Sequence, residues 1–196
     1  IANLFALRQN NIKRFLAFSS IAQAGFLLLG ILGANDLGMS AIVYFVLIYV
    51  FTNLGAFGVV EAISNASGVE TIDGYNGLYK TNPKLSLLMT LSLFSLAGIP
   101  PVAGFFGKFF LFTSAASSGY FILVLIAVLN ATISLYYYLK VIRAMFIEKS
   151  ENPVATLRSS NYMRAALVIC VTGIFAVGFA SGIFEIIREI SGEFLN

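Results

Sequence analysis

Lys108 is the only charged side chain between Lys84 and Lys140. It follows Gly98-Ile99-Pro100-Pro101 and stands among Phe105, Phe106, Phe109 and Phe110. A lone amine in such a run suits the uptake and release of a proton. Placing a lysine at the centre of a bilayer costs about 2.5–3.5 kcal/mol on insertion scales, so intramembrane lysines face a bundle interior or a hydrated cavity and mark ion or proton pathways. Desolvation disfavours the ammonium form. The positive end of a helix restarting after Pro101 disfavours it further. The structural alternative is a lysine in a buried ion pair on a Pro-kinked helix.

Other polar positions are less pointed. Lys13 is a second candidate for the proton path, but with Arg14 it begins an apolar stretch, where basic residues ordinarily fix topology. Ser19, Ser20 and Gln23 share a helix face and either line a water path or join helices by hydrogen bonds. Glu61 ends an apolar stretch and reads as an interfacial anchor. Gly55 and Gly58, with Ala56 and Ala62, read as a close helix contact, and Tyr136, Tyr137 and Tyr138 as an interfacial aromatic belt. Thr132 and Ser134 either bend their helix or pack. The chain has no histidine and one cysteine, Cys170, so imidazole ligands, an internal disulfide and a cysteine-held iron–sulfur centre are excluded. No Gly-rich nucleotide fingerprint follows a strand, so neither cofactor nor metal site is expected here.

These residues need a membrane scaffold. Of the 196 residues, 59% are hydrophobic and 11% charged, against roughly 25% charged in soluble domains. No Asp, Glu, Lys or Arg lies between Arg14 and Asp36, Asp36 and Glu61, Lys84 and Lys108, Lys108 and Lys140, or Arg164 and Glu185. About 20 apolar residues form a helical crossing, and only helices and closed barrels satisfy the backbone in lipid. The apolar runs are continuous, not alternating, which argues against a barrel. The expectation is an all-α, polytopic membrane protein of one domain over residues 1–196. It has a helix end at 1–8 and spans near 12–32, 39–63, 84–118, 120–145 and 161–187, the last running into an acidic tail. The chain opens on Ile1 inside an apolar helix and is expected to be part of a longer protein.

The span 84–118 is too long for one plain crossing and is expected to break near Gly98–Pro101. Its first half, 85–97, rises about 20 Å, which brings the break to mid-membrane. Taken as one interrupted crossing, it leaves Arg8, Lys13, Arg14, Lys80, Lys84, Lys140, Arg143, Lys149, Arg158 and Arg164 on one side and only Arg188 on the other. The basic side is then cytoplasmic, and the C-terminus lies opposite. The formal net charge of +3 gives no reason to expect a nucleic-acid partner; the lipid bilayer is the expected one.

The run Asn10-Asn11-Ile12-Lys13-Arg14-Phe15-Leu16-Ala17-Phe18-Ser19-Ser20-Ile21 resembles a motif of the antiporter-like membrane subunits of respiratory complex I and of Mrp-type cation/proton antiporters. The run Leu96-Ala97-Gly98-Ile99-Pro100-Pro101-Val102-Ala103-Gly104-Phe105-Phe106-Gly107-Lys108-Phe109 is similar to the family's broken helix. Gly55-Ala56-Phe57-Gly58 and Leu135-Tyr136-Tyr137-Tyr138-Leu139 resemble the N branch. Other branches often carry glutamate where Lys108 stands. The resemblance covers nearly the whole chain, least clearly in the loops and the last span. It implies the second of two inverted five-helix repeats, in a proton-translocating subunit of NADH:quinone oxidoreductase in a bacterial inner membrane, with a periplasmic C-terminus.

By the same resemblance, Lys108 matches a titratable lysine on the outlet side of a hydrated axis, and Lys13 matches a basic position at the cytoplasmic end of its helix. Partners would be the other membrane subunits of complex I. NADH, FMN, iron–sulfur clusters and quinone would belong to partner subunits. The alternatives are an Mrp-type antiporter subunit using the same lysine without a redox partner, and a non-transporting scaffold.

Overall fold

The structure, a computed structural model, describes residues 1–179 and 181–195. Among them are nine α-helices, and the only β pairing is an isolated bridge between Asn11 and Thr71. The helices are α1 (Ala2–Arg8), α2 (Ile12–Gly33), α3 (Asp36–Ser67), α4 (Leu78–Thr81), α5 (Pro83–Ala97), α6 (Ala103–Ser117), α7 (Phe121–Phe146), α8 (Asn161–Phe179) and α9 (Ser181–Leu195). By length and composition α2, α3, α7 and α8 can each cross a membrane. The shorter α5 and α6 together run from one end of the bundle to the other: α5 begins beside Val154 and Ala155, and α6 ends beside Gly33 and Asn35 at the opposite end.

Helix boundaries follow local chemistry. The Asn11 side chain accepts from Arg14 N and caps α2, and Asn35 accepts from Gly38 N at 2.7 Å and caps α3, each satisfying an amide that the helix leaves free. Pro83 opens α5, where its missing N–H costs nothing. Gly98, at φ +82°, closes α5 in a left-handed conformation that suits glycine.

Helix α3 is the hub, packing against α2, α5, α6, α8 and α9. Lipid supplies no hydrophobic drive between helices, so close packing and hydrogen bonds hold them. Gly55 faces Ser92 of α5 and Cys170 of α8, and Gly58 faces Leu167, which is the close contact expected of them.

Between α3 and α5 the chain is an ordered cap, not a plain polar loop. Ile72, Tyr75 and Leu78 are buried in it. It is stitched to the start of α2 by Ile12 N to Glu70 O and Ile72 N to Asn10 O, both 2.8 Å, and to α7 by Gly77 N to Ala144 O.

The last apolar stretch, expected as one span to residue 187, is described as α8 to Phe179 and α9 from Ser181; Ala180 lies outside the described residues. Beyond Phe179 the sequence turns from continuously apolar to amphipathic. Ile183, Phe184 and Ile187 face the bundle, while Glu185, Arg188 and Glu189 are exposed. The Phe184 ring stacks on Phe110 of α6 at 3.8 Å and meets Tyr44 of α3 edge-on.

Candidate functional site

The break between α5 and α6 is built from backbone groups that a helix end leaves free. Of the last carbonyls of α5, Phe94 and Ser95 accept from the amides of Gly98 and Ile99. Pro100 and Pro101 have no N–H to offer. The carbonyls of Leu96 and Ala97 accept instead from Lys108 Nζ, at 2.7 and 3.3 Å. Lys108 sits in the second turn of α6, and helical side chains lean toward the N-terminus, so its stem reaches back over the first turn to the break. At the start of α6 no side chain of Val102 caps the helix; the Ser95 hydroxyl accepts from Gly104 N at 3.2 Å. Gly104 is required there, because a Cβ would collide with the Ser95 carbonyl.

Lys108 is 4% exposed and makes no ion pair among the described residues. This corrects the structural alternative read from the sequence: carbonyls, not a carboxylate, hold the lysine. The electrostatics differ from expectation as well. The head group turns away from the positive end of α6 and lies at the negative end of α5, where carbonyl dipoles attract a cation. Phe26 of α2 completes the seat, its ring centroid 4.6 Å from Nζ, within the range of a cation–π contact.

A chain of buried polar groups leaves this seat. Gln23 Nε2 donates to the same Leu96 carbonyl at 2.9 Å and to Tyr138 OH at 3.1 Å, and Tyr138 OH is hydrogen-bonded to Ser19 Oγ. Gln23 Oε1 is buried without a partner among the described residues. Beside it lies a cavity of about 10 Å³ lined by Gln23, Thr52, Ser95, Leu96 and Gly104, near the smallest volume that holds one water. Thr52 and Ser95 hydroxyls meet at 3.0 Å. Of the polar patch read on α2, Ser19 and Gln23 join this chain, while Ser20 bonds back to Leu16 O.

The tyrosines do not form the expected belt. Tyr136 is exposed, but Tyr137 and Tyr138 are buried. Tyr137 OH donates to Asn3 Oδ1 at 2.9 Å, and Asn3 Nδ2 donates to Asn130 O at 3.0 Å. One helical turn exposes only part of a three-residue run, and the hydroxyls found partners on α1 and α2. No sequence signal tied Asn3 or Tyr138 to these contacts, because the pairs are over a hundred residues apart. Thr132 and Ser134 bond to Val128 O and Ala131 O of their own helix.

Lys13 lies apart from Lys108. Its Nζ donates to Glu70 Oε1 at 2.8 Å and Ser64 Oγ at 3.0 Å, with Glu61 at 3.9 Å. Glu70 also accepts from Ser64 at 3.1 Å and Asn11 at 3.3 Å. Hydrogen bonds from Lys13, then from Ser64 and Asn11, hold the Glu70 carboxyl below the usual carboxylate range. Arg14 makes no ion pair among the described residues. No group of three His, Cys, Asp or Glu side chains that could hold a metal occurs among the described residues.

Residues 1–134 match the family described as NADH:quinone oxidoreductase/Mrp antiporter, TM. The chain is 52% identical over 190 residues to NADH-quinone oxidoreductase subunit N of Phocaeicola vulgatus, covering 96% of this chain and 40% of that protein. Among solved structures, a chain of respiratory complex I from Thermus thermophilus with bound aureothin superposes with a TM-score of 0.78 at 34% identity, covering 92% of this chain and 41% of that one. A chain of the Mrp complex from a Dietzia species superposes at 0.85 with 22% identity, over 97% and 43%, a likeness of fold. The chain thus spans about 40% of the length of the curated relatives it matches.

Proposed function

Because the chain belongs to the NADH:quinone oxidoreductase/Mrp antiporter membrane family, we propose that it is the C-terminal part of a proton-translocating subunit of the N type in an NADH:quinone oxidoreductase, with Lys108 as its proton carrier. One observation carries this reading: a lysine buried at a broken helix, seated on free carbonyls with no counter-ion among the described residues, and joined through Leu96 O to a buried polar chain. A lysine paired to a carboxylate would hold its proton tightly; one held by neutral dipoles can exchange it as its surroundings change.

Lys108 takes its proton from the side of Gln23, where the adjoining cavity, lined by Gln23, Thr52 and Ser95, has room for one water. It releases the proton toward the far side of the membrane along α6. Lys13 acts at the other end of α2, where it fastens the cap carrying Glu70 and sets the entrance to the polar chain. Electrons pass from NADH to quinone in partner subunits, which hold FMN and the iron–sulfur clusters; this chain supplies the proton step alone. The partners are the other membrane subunits of the complex, in a bacterial inner membrane. The gathering of ten basic residues at one end supports a cytoplasmic position for that end and a periplasmic C-terminus.

Purification of the full-length protein through an affinity tag tests the assignment to a redox complex. NADH:quinone reductase activity should follow the tag through solubilisation and sizing. Cation/proton antiport in an assembly without NADH oxidation would contradict it and favour the Mrp-type reading.

A further inference from the structure

Among the described residues, α5 and α8 enclose a groove of about 610 Å³, within the range of ligand sites. Its upper end holds Lys84 in the first turn of α5 and Arg164 in the first turn of α8, with Thr156 and Ser159 between the two helices in sequence. Its lower end is apolar, formed by Leu88, Val168 and Val171. Lys84 and Arg164 are both exposed, and among the described residues neither joins an ion pair. Among the described residues, no acidic side chain lines the groove. The positive ends of α5 and α8 add to the charge of the two side chains.

Two cations at one end of the groove, unpaired among the described residues, above an apolar trough that runs along α5 and α8, complement a phosphate carrying an acyl chain. We propose that this groove binds an anionic phospholipid, its phosphate between Lys84 and Arg164 and its chain along Leu88, Val168 and Val171. Arg164 offers a planar fork of donors to phosphate oxygens, and Lys84 a compact charge. Basic pockets between helices on the cytoplasmic side recognise anionic head groups by this chemistry. A purely apolar partner helix would leave both cations unpaired. The site depends on the membrane crossing of α5 and α8 and is independent of the role of Lys108.

The test uses the full-length protein in the assembly with which it purifies from detergent-solubilised membranes. Retained phosphatidylglycerol and phosphatidylethanolamine are counted by mass spectrometry for the natural protein, the double variant Lys84→Gln/Arg164→Gln, and Leu88→Trp. The natural protein should hold at least one more phosphatidylglycerol per assembly than either variant, with equal phosphatidylethanolamine. Leu88→Trp matters because it fills the trough with both cations in place. Equal phosphatidylglycerol in all three would overturn the proposal. So would disulfide capture of Val168→Cys by a neighbouring subunit's helix with lipid content unchanged, which would give the groove to a protein partner.

Discussion

Lys108 and Gln23 reach the same atom from different helices: the Leu96 carbonyl accepts from Lys108 Nζ at 2.7 Å and from Gln23 Nε2 at 2.9 Å. That carbonyl is free because α5 stops at Gly98, and its two donors tie α6 and α2 to the broken end. A shift of either donor therefore changes the seat of the other.

Replacing Gln23 with Leu should separate relay from packing. Leu96 O keeps Lys108 and Tyr138 keeps Ser19, so no buried group loses its last partner, and the stability cost should be about 1 kcal/mol. The assembly should form, while proton transport per NADH oxidised should fall clearly. Unchanged transport would remove Gln23 from the path.

Gly104→Ala should damage the break itself, because the added Cβ meets the Ser95 backbone carbonyl, which no rotamer change relieves. Assembly of the complex, read by membrane content and sizing, should drop sharply. Gly25→Ala, where nothing lies within 4 Å of the new Cβ, is the matched control and should assemble normally. Equal assembly of the two would contradict the packing described.

The cap over α2 should be acid-sensitive through Glu70. Its carboxyl is held below its ordinary range, mainly by Lys13. A depressed carboxyl stabilises the fold above its unfolded pKa and loses that contribution as pH falls through its folded value. Glu70→Gln should therefore lower the unfolding temperature at pH 7 and have a shrinking effect toward pH 4 and below. A difference that stays constant over that range would exclude this linkage. The pair is partly exposed, so high salt should also shrink the difference.

Lys108→Arg should separate holding the break from carrying a proton. Arginine keeps donors for Leu96 O and Ala97 O but does not release its proton. The variant should assemble and oxidise NADH with proton transport lost. Retained transport in the assembled variant would show that Lys108 need not titrate.

Much of this architecture was legible in the sequence. Gaps between charges foreshadowed the long apolar helices, Gly98 and the two prolines the break between α5 and α6, and the isolation of Lys108 drew attention to the candidate site. What held that lysine was not legible. The carbonyls of Leu96 and Ala97 carry no sequence signature, and a charge invites the search for a counter-charge. Tyr137 and Tyr138 misled for a related reason. Tyrosine suits both a membrane interface and a buried hydrogen bond, and only the distant partners Asn3, Ser19 and Gln23 decide between them. The change at Phe179 was hidden because Ile183, Phe184 and Ile187 continue the apolar pattern while serving an amphipathic helix.

The most direct test of the central claim is proton transport by the full-length protein carrying Lys108→Met, in its native membrane and with assembly confirmed. Uncoupler-sensitive transport is measured beside NADH oxidation. The account predicts that transport per NADH falls clearly in the assembled complex. Transport per NADH equal to that of the natural protein would contradict it and leave Lys108 as the cap of a broken helix.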